Sequence, residues 1–500
     1  ACVMTAGCAG GKKETASSGK LTYWCNLDGS AAALYQNLGD TELAKTLKEK
    51  TNTEIEYVHP PQGQESEKFN LLTASNNLPD MIEYKWATAY AGGPQKAIDD
   101  GKIIDIGEYK EYAPNYFKYL EEHPEVEKLV KTDDGKYFGF AFVRNDPSLL
   151  VMTGPYLRKD WLNELGLEVP ETIDEWETVL MAFKEKKGAS APLTGNIAMF
   201  EWGIFAGAYG VEEGYYHDGN TVKFGACEPG YKEFITKMAD WYQKGLIDEG
   251  IASNDNKMVM TNILNGVSGA AFGNIGSGIG NITANAANIQ GFELVGAKYP
   301  VLKKGDISEH GQLDLMVPGR VTAISTSCKD IEKAMKFLDY GYSEEGSMLY
   351  NFGIEGKSYN IVDGYPTYTE DITDNKEGLS MANAMSNYCL SYASGPFLQD
   401  KRYMEQYAKL DSQKTAWKNW QETKESEHKL PYIYPEQSRL DEYARLQTDV
   451  DTYTNEMTLK FIMGVEPLEK YDEFLSNLES RGVKTVLEIA QNAYDKALER

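Results

Sequence analysis

The sequence predicts an α/β protein made of two large lobes. The chain has 500 residues, which is too many for one ordinary domain, so two lobes are the default expectation. Strand patterns alternate with helix patterns along much of the chain, and this favours sheets with right-handed crossover connections. The segment Val321–Gly353 shows the pattern clearly, as one strand followed by two helices.

The composition indicates an acidic surface around well-filled cores. Apolar residues make up 42% of the chain, enough to build two cores. Asp and Glu number 76 against 50 Lys and Arg, which gives a net charge of −26. A field of this sign disfavours nucleic acid and anionic membrane surfaces as partners. An anionic small ligand would need its own local cluster of Arg or Lys.

The six cysteines predict neither a disulfide scaffold nor a metal site. No two of them are spaced as Cys-x-x-Cys, and no His lies near enough in sequence to indicate zinc. We therefore expect no metal and no cofactor, and we interpret most cysteines as small buried hydrophobes. Cys8 is the exception.

Cys8 ends the string Met4-Thr5-Ala6-Gly7-Cys8, and a linker rich in Gly, Lys and Ser follows it. The string is similar to a bacterial lipobox, in which the Cys becomes the lipidated first residue of the mature protein. Thr5 departs from the Leu that is usual at its position. The similarity implies an extracellular lipoprotein anchored to the cytoplasmic membrane through Cys8, with residues 1–19 as lipobox remnant and linker. An ordinary disordered N-terminus is the alternative.

The residues after 19 predict the first lobe. In order, the expected elements are strand Leu21–Trp24, a helix capped by Asp40 and ending near Lys50, strand Thr53–Val58, helix Glu65–Ser75, strand Leu78–Tyr84 and strand Lys136–Phe142. Ligands of open α/β sheets bind beyond the carboxyl ends of the strands. Trp24, Asn26, Lys85 and Trp86 follow or end two of these strands, so we expect them at the rim of a cleft.

Pro147 breaks regular structure after Arg144, and we interpret this as the first crossing into the second lobe. The elements expected there are strand Leu149–Thr153, a helix from the Thr172–Glu175 capping box to about Lys187, an apolar helix over Met199–Tyr209, a hairpin over Tyr215–Phe224, helix Pro229–Lys244, and a short strand that breaks into a glycine-rich turn within Gly266–Gly280. Trp202 and Tyr209 could stack on sugar rings or pack in the core.

The later part of the chain continues the alternation. Val321–Ser325 predicts a buried strand, Ser327 the N-cap of a helix, and Ser343 the start of a second helix that ends at Gly353. Residues 359–369 predict a hairpin. Residues 380–430 predict polar helices that carry Trp417 and Trp420 on nearly the same face.

Three strings resemble one known family. Val321–Gly353 resembles the late strand–helix–helix crossover of bacterial extracellular solute-binding proteins, the ligand-capturing component of ABC importers. RKDWLNELGLEVPETIDEW, from Arg158, and FIMGVEPLEKYDEF, from Phe461, resemble the branch of large oligosaccharide-binding lipoproteins, which includes binders of alginate and glycosaminoglycan fragments. The resemblance covers Lys20 to the end of the sequence.

The resemblance implies a type II periplasmic-binding-protein-like fold: two lobes with central mixed sheets and a hinge, and a helical C-terminal extension. It implies lobe one over residues 20–145 plus about 305–340, and lobe two over 146–304 plus about 341–500, with crossovers near Asp146 and Gly341. It also puts the glycine-rich turn at the cleft, with Asn274 and Ser277. Many members of the branch carry a calcium loop after the helix that ends near Lys187, but residues 186–192 offer no carboxylate here.

We therefore expect a monomer that captures a small solute, an oligosaccharide in the first instance, by hinge closure and delivers it to ABC permease subunits. Aromatic faces would lie against sugar rings, and polar side chains would pair with the hydroxyls. The candidate ligand-binding residues are Trp24, Asn26, Trp86, Arg144, Trp202, Tyr209, Asn274 and Trp417. Core packing is the competing role for each aromatic residue, and an ordinary salt bridge for Arg144.

We expect no catalysis, and three other functions stay open as alternatives. No Gly-x-Ser-x-Gly or His-Glu-x-x-His motif occurs, and Gly356-Lys357-Ser358 lacks the first glycine of a P-loop because Asn351 stands there. A secreted carbohydrate-active enzyme, either a glycoside hydrolase or a lyase, would instead need a carboxylate pair at a defined separation. A binder of uronic-acid fragments would need clustered Arg and Lys, and a binder of peptides is the remaining alternative.

Overall fold

The computed structural model describes residues 19–75, 77–200 and 203–500. The strands, in chain order, are β1 Lys20–Trp24, β2 Glu54–Val58, β3 Met81–Tyr84, β4 Phe140–Ala141, β5 Val143–Arg144, β6 Thr153–Arg158, β7 Tyr215–Asp218, β8 Thr221–Phe224, β9 Ala270–Asn274, β10 Leu294–Gly296, β11 Val321–Ile324, β12 Tyr359–Val362, β13 Tyr365–Tyr368 and β14 Leu398–Gln399.

The α-helices, in chain order, are α1 Gly29–Ala32, α2 Glu42–Thr51, α3 Glu65–Ala74, α4 Trp86–Ala89, α5 Gly93–Asp99, α6 Pro114–Glu122, α7 Pro124–Val130, α8 Lys159–Leu165, α9 Ile173–Lys187, α10 Pro229–Gln243, α11 Asn256–Leu264, α12 Asn281–Asn285, α13 Ile331–Asp339, α14 Glu344–Phe352, α15 Glu370–Thr373, α16 Met381–Met385, α17 Lys401–Tyr407, α18 Asp411–Trp420, α19 Leu440–Ile462, α20 Tyr471–Ser480 and α21 Val483–Glu499. Within the described ranges, none of these helices is both long and apolar enough to cross a membrane.

Lobe one is built on a five-stranded mixed sheet in the order β2-β1-β3-β11-β4. β1 runs parallel to β2 and β3, whereas β11 arrives from late in the chain and runs antiparallel to β3 and β4. All four residues of β3 and of β11 are buried. The hydrophobic core around this sheet draws on residues 21–143, 317–350 and Phe397.

Lobe two is built on a smaller antiparallel sheet in the order β10-β6-β9. Its core draws on residues 149–299 and 352–486. Helix α18 packs on the sheet, and the indole N–H of Trp420 donates to the carbonyl of Pro155 at 3.1 Å. Gly154 is the residue that lets the ring come so close, because a Cβ there would lie 2.5 Å from Cδ1 of Trp420.

The three C-terminal helices pack against lobe two. Thr458 on α19 shares a buried hydrogen bond of 2.8 Å with the hydroxyl of Tyr231 on α10. Gln491 on α21 accepts from the backbone N–H of Val222 at 2.8 Å, which fixes the β7–β8 hairpin to that helix. The helical C-terminal extension is therefore part of the lobe-two core.

Most of the element predictions are confirmed. The capping box of Thr172 and Glu175 opens α9, the hairpin over residues 215–224 is β7–β8, and Ser343 caps α14. Asp330 instead of Ser327 caps α13, and Thr41 instead of Asp40 caps α2.

Besides these two caps, two predicted elements are wrong. The strand expected over Leu149–Thr153 is a 3₁₀ turn over Pro147–Leu150, capped by Asp146, and β6 begins only at Thr153. A helix is expected over Met199–Tyr209, but among the described residues of that range Ala206–Tyr209 form a 3₁₀ turn instead. Gly203 explains the difference, because its φ is +62° and a Cβ there would lie 2.4 Å from Cβ of His310.

Replacing Gly154 by Ala tests the packing of α18 on β6. The added methyl group would overlap a fully buried indole ring, and overpacking of this kind costs about 1–3 kcal/mol. We expect a lower midpoint of urea unfolding for G154A. The matched control is G214A, where a Cβ meets nothing within 4 Å; equal stability of the two variants would contradict the packing described.

Candidate ligand-binding cavity

A cavity of about 520 Å³ opens at the carboxyl end of β1. Helix α2 forms one of its sides, and the segment 390–396 closes another. Its apolar lining includes the buried side chains of Leu38, Leu43, Leu47 and Tyr350. The volume falls within the range of small-molecule binding sites, which are clefts with an apolar lining and a few well-placed polar groups.

The polar side of the cavity is organised around Arg320. With the Asn26 amide oriented so that its oxygen faces the guanidinium, Asn26 accepts from Nη1 at 3.2 Å and from Nη2 at 2.9 Å. Nη1 of Arg320 also lies 3.9 Å from Oε1 of Glu83. Glu83 accepts in addition from the hydroxyl of Tyr23 at 2.7 Å and from that of Ser394 at 3.0 Å.

The sheet register holds this network in place. Glu83 is the third residue of β3 and lies opposite Thr322 of β11, and Arg320 immediately precedes β11. The hydroxyls of Thr322 and Tyr23 share a hydrogen bond of 2.9 Å, so β1 is tied to the same point. Three strands therefore fix the carboxylate and the guanidinium relative to each other.

Burial keeps the neighbouring acidic groups uncharged. Burial, followed by the negative charge of Glu83, raises the pKa of Tyr23 well above its usual value. The same two causes raise the pKa of the Cys25 thiol, and Arg320 offsets part of that rise. At neutral pH the phenol and the thiol are therefore protonated, and the phenol donates its proton in a hydrogen bond to Glu83.

Asp28 lines the cavity, and its negative charge acts on two tyrosines from late in the chain. Burial raises the pKa of Tyr392 and of Tyr407, and the charge of Asp28 contributes to both rises. The ring of Tyr407 also packs on the glycine-rich turn of lobe two, where a Cβ on Gly276 would lie 3.0 Å from its Cε1. The charge of Asp28 therefore acts on a tyrosine that packs on the turn at 275–280.

Of the residues predicted for the site, Asn26 lines the cavity. Trp24 packs in the lobe-one core against Phe69 and Tyr84. Trp86 is fully buried, and its indole N–H donates to the carbonyl of Ile82 at 3.1 Å. Neither indole ring is among the cavity lining.

The other predicted residues lie elsewhere. The Arg144 guanidinium pairs with Asp314 and donates to the carbonyl of Leu149, and the indole of Trp417 donates to the carbonyl of Ser148. Asn274 accepts from the N–H of Gly276 at 2.9 Å and is exposed on the turn. Tyr209 lines a separate surface groove beside α10. Trp202 and Cys8 lie outside the described residues.

Sequence reasoning missed most of the polar lining. Glu83 did carry a signal, since a charged residue within the apolar string Met81–Tyr84 needs a buried partner. Arg320 immediately precedes the strand predicted at Val321. Tyr392 and Ser394 carried no local signal, because they reach the cavity through interactions with residues more than 300 positions earlier.

Among the described residues, the carboxyl groups whose pKa burial brings to about 6 or 7 lie outside the cavity lining. Burial raises the pKa of three carboxyl groups to about 6 or 7, namely Asp451, Glu212 and Glu425. Groups shifted towards neutrality in this way are the usual candidates for a general acid. None of the three is among the residues that line the cavity.

Comparison with known proteins identifies a family that matches more than half of the chain. The family model described as bacterial extracellular solute-binding protein matches residues 32–348. Lipoprotein LipO of Bacillus subtilis is 24% identical over 91% of this chain and 88% of its own length. The fructooligosaccharide ABC transporter substrate-binding protein FusA of Streptococcus pneumoniae is 25% identical over 91% of this chain and 86% of its own.

Solved structures share the fold. An HMO-binding, ABC-transporter-associated solute-binding protein from Bifidobacterium longum infantis superposes with a TM-score of 0.77 at 18% identity, covering 96% of this chain and 99% of that one. The alginate-binding protein AlgQ2, solved without calcium, gives 0.74 at 23% identity, covering 95% and 98%. These matches support the two-lobed periplasmic-binding-protein-like fold.

A double-mutant cycle on Glu83 and Arg320 tests the polar network. Removing either charge leaves the other poorly compensated in a largely buried place, so E83Q and R320Q should each destabilise the protein. We expect the double variant to lose about 1 kcal/mol less free energy of unfolding than the sum of the losses of the two single variants. Urea unfolding of the four proteins measures this coupling, and strictly additive losses would show that the two side chains do not interact.

Proposed function

The chain belongs to the bacterial extracellular solute-binding proteins, and from this premise we propose that it captures an oligosaccharide in the cavity beside Arg320 for an ABC importer. The relatives support the choice of ligand. FusA is a fructooligosaccharide-binding component of an ABC transporter. YtcQ of Bacillus subtilis binds polygalacturonan and rhamnogalacturonan, and it is 23% identical over 91% of this chain and 88% of its own length.

The observation that carries the proposal is the composition of the cavity. Its polar residues present both donors and acceptors, with the guanidinium of Arg320 beside the amide of Asn26 and the carboxylate of Glu83. A sugar hydroxyl both donates and accepts, so such a set can pair with every hydroxyl it desolvates. The apolar side chains of Leu43 and Leu47 would face the C–H surface of a ring.

The charge of the lining favours a neutral sugar over a uronic acid. Among the described residues that line the cavity, Arg320 is the one basic side chain, against the acidic Asp28, Glu65 and Glu83. A carboxylated ligand would meet net repulsion there, because like charges in a partly desolvated site repel strongly. We therefore propose a neutral oligosaccharide instead of an anionic fragment or an acidic peptide.

We also propose the conformational cycle. For the lobe boundaries we propose those expected from the sequence, with lobe one over residues 20–145 and about 305–340 and lobe two over the remaining globular parts. Tyr342, Leu349 and Tyr350 pack in the lobe-one core, so we extend lobe one to about residue 350. Rotation about the crossing segments would bring the turn at 275–280, with Asn274, onto a ligand held by lobe one. The closed monomer would dock on permease subunits and release the sugar chemically unchanged.

The anchor follows from the lipobox-like string. We propose that Cys8 carries the lipid that keeps the protein outside the cell at the cytoplasmic membrane. The similarity to LipO, a lipoprotein, supports this assignment.

Asn26 stays in the proposed ligand-binding set, joined by Asp28, Glu83, Arg320, Tyr392 and Ser394, whereas the buried rings of Trp24 and Trp86 are assigned to the core.

A thermal-shift screen distinguishes the candidate ligand classes. Binding to the folded state raises the melting temperature by mass action. At a ligand concentration 100 times Kd, the free energy of unfolding rises by about 2.7 kcal/mol. We expect saturable shifts with neutral oligosaccharides and none with uronic-acid oligomers or peptides. Mass spectrometry of the recovered sugar is the second measurement: intact sugar agrees with capture, and shortened sugar would establish an enzyme.

Replacing Asn26 by Ala tests the position of the site. The variant would leave donors of Arg320 and hydroxyls of the ligand without a partner. We expect the binding free energy to weaken by about 1–3 kcal/mol, which raises Kd roughly 5- to 150-fold. Isothermal titration with the sugar found in the screen measures the loss. The matched control is N285A, on an exposed helix where the amide bonds only to Asn281; a loss of affinity equal to that of N26A would move the ligand elsewhere.

A further inference from the structure

A second cluster of polar side chains lies in lobe two, away from the proposed sugar cavity. Glu212, His310 and Glu425 each present one potential ligand atom, and these atoms all lie within 4.8 Å of one another. Three separate parts of the chain supply them: the segment before β7, the segment at 308–312, and the 3₁₀ turn at Glu425–Glu427.

The backbone fixes two of the three residues. Lys424 donates its N–H to the carbonyl of Ser308 at 2.9 Å, which aligns the segment of His310 with that of Glu425. Nδ1 of His310 then lies 3.0 Å from Oε2 of Glu425. The imidazole is held from the sides by the rings of Tyr216 and His428, each with its centroid 4.7 Å away.

Glu425 has acceptor capacity that the protein does not use. Its side chain is about 1% exposed. Oε2 lies within hydrogen-bond distance of Nδ1 of His310 and accepts, at 3.4 Å, from the N–H of Gly311, whereas the buried Oε1 finds no hydrogen-bond partner among the described residues. An unpaired buried carboxylate oxygen is costly unless a cation or a donor reaches it.

The chemistry of the cluster fits a cation. Two carboxyl groups and one imidazole meet there in a buried place. Such a set offers a divalent ion both oxygen and nitrogen ligands.

The cluster is also accessible. Glu212 lines a cavity of about 270 Å³ that contains Tyr215, Lys429 and Asp451 as well. An ion could enter through this cavity and meet Glu212 first. Water in the same cavity could complete the coordination, as it does where three protein ligands leave one position open.

We propose that Glu212, His310 and Glu425 form a binding site for a divalent transition-metal ion, Zn²⁺ being the best match. One imidazole with two carboxylates suits zinc, whereas Ca²⁺ and Mg²⁺ prefer oxygen ligands alone. Ligand atoms around tetrahedral zinc are roughly 3–3.5 Å apart, so small side-chain rotations would close the site. The ion would tie the segments at 212, 310 and 425 together and so stabilise lobe two.

Titration of chelator-treated protein with ZnCl₂ tests the proposal. We expect isothermal titration calorimetry to give one tight site per chain, MgCl₂ and CaCl₂ to compete weakly, and CoCl₂ to produce the intense visible absorption of a low-coordinate site. E212Q and H310Q should each weaken zinc binding at least tenfold. Zinc should also raise the melting temperature of the wild-type protein more than that of either variant.

The matched control is E309Q. Glu309 neighbours His310 but pairs with Lys424 and His428 outside the cluster, so this variant should bind zinc as the wild type does. Two results would overturn the proposal: no uptake by the wild-type protein at a hundredfold excess of zinc, or equal uptake by all four proteins, which would place the ion elsewhere. The wild-type titration decides the first point even if a variant folds poorly.

Discussion

The pairing of chain segments where they cross between the lobes is the constraint on which the rest of the structure depends. The N–H of Val143 donates to the carbonyl of Phe397, that of Arg144 to Met316, and that of Phe142 to Arg320. Buried backbone groups must be paired. Each of these segments therefore depends on the others for its backbone hydrogen bonds. The same pairing sets the backbone of Arg320 just before β11 and thereby places its guanidinium in the cavity.

The polar part of the cavity is fixed by the lobe-one sheet. Glu83 and Arg320 are held by that sheet, so their positions cost the ligand little ordering. The turn at 275–280 and Tyr407 lie outside the cavity lining, although the charge of Asp28, which lines the cavity, acts on Tyr407. A ligand that contacts both lobes would favour the closed arrangement over the open one by the difference between its two affinities.

The sequence predicts what is encoded locally, and less of what is assembled from distant parts. The capping box at Thr172 and the hairpin at Asp218-Gly219 depend on residues a few positions apart, and both are found. The helix expected before Tyr209 fails because a close contact of Gly203 with His310, about a hundred residues later, overrides the apolar pattern. For the same reason the site was only partly foreseen: Asn26 follows a strand, but its partners come together only through the register of β3 with β11.

Small-angle X-ray scattering, with and without a saturating neutral oligosaccharide, is the most direct test of capture by closure between two lobes. Closure predicts a smaller radius of gyration in the presence of the sugar, and no change when the sugar is added to an R320A variant that does not bind it. An unchanged radius of gyration at demonstrated saturation would contradict closure, and would mean that the cavity binds its ligand as a rigid site within lobe one.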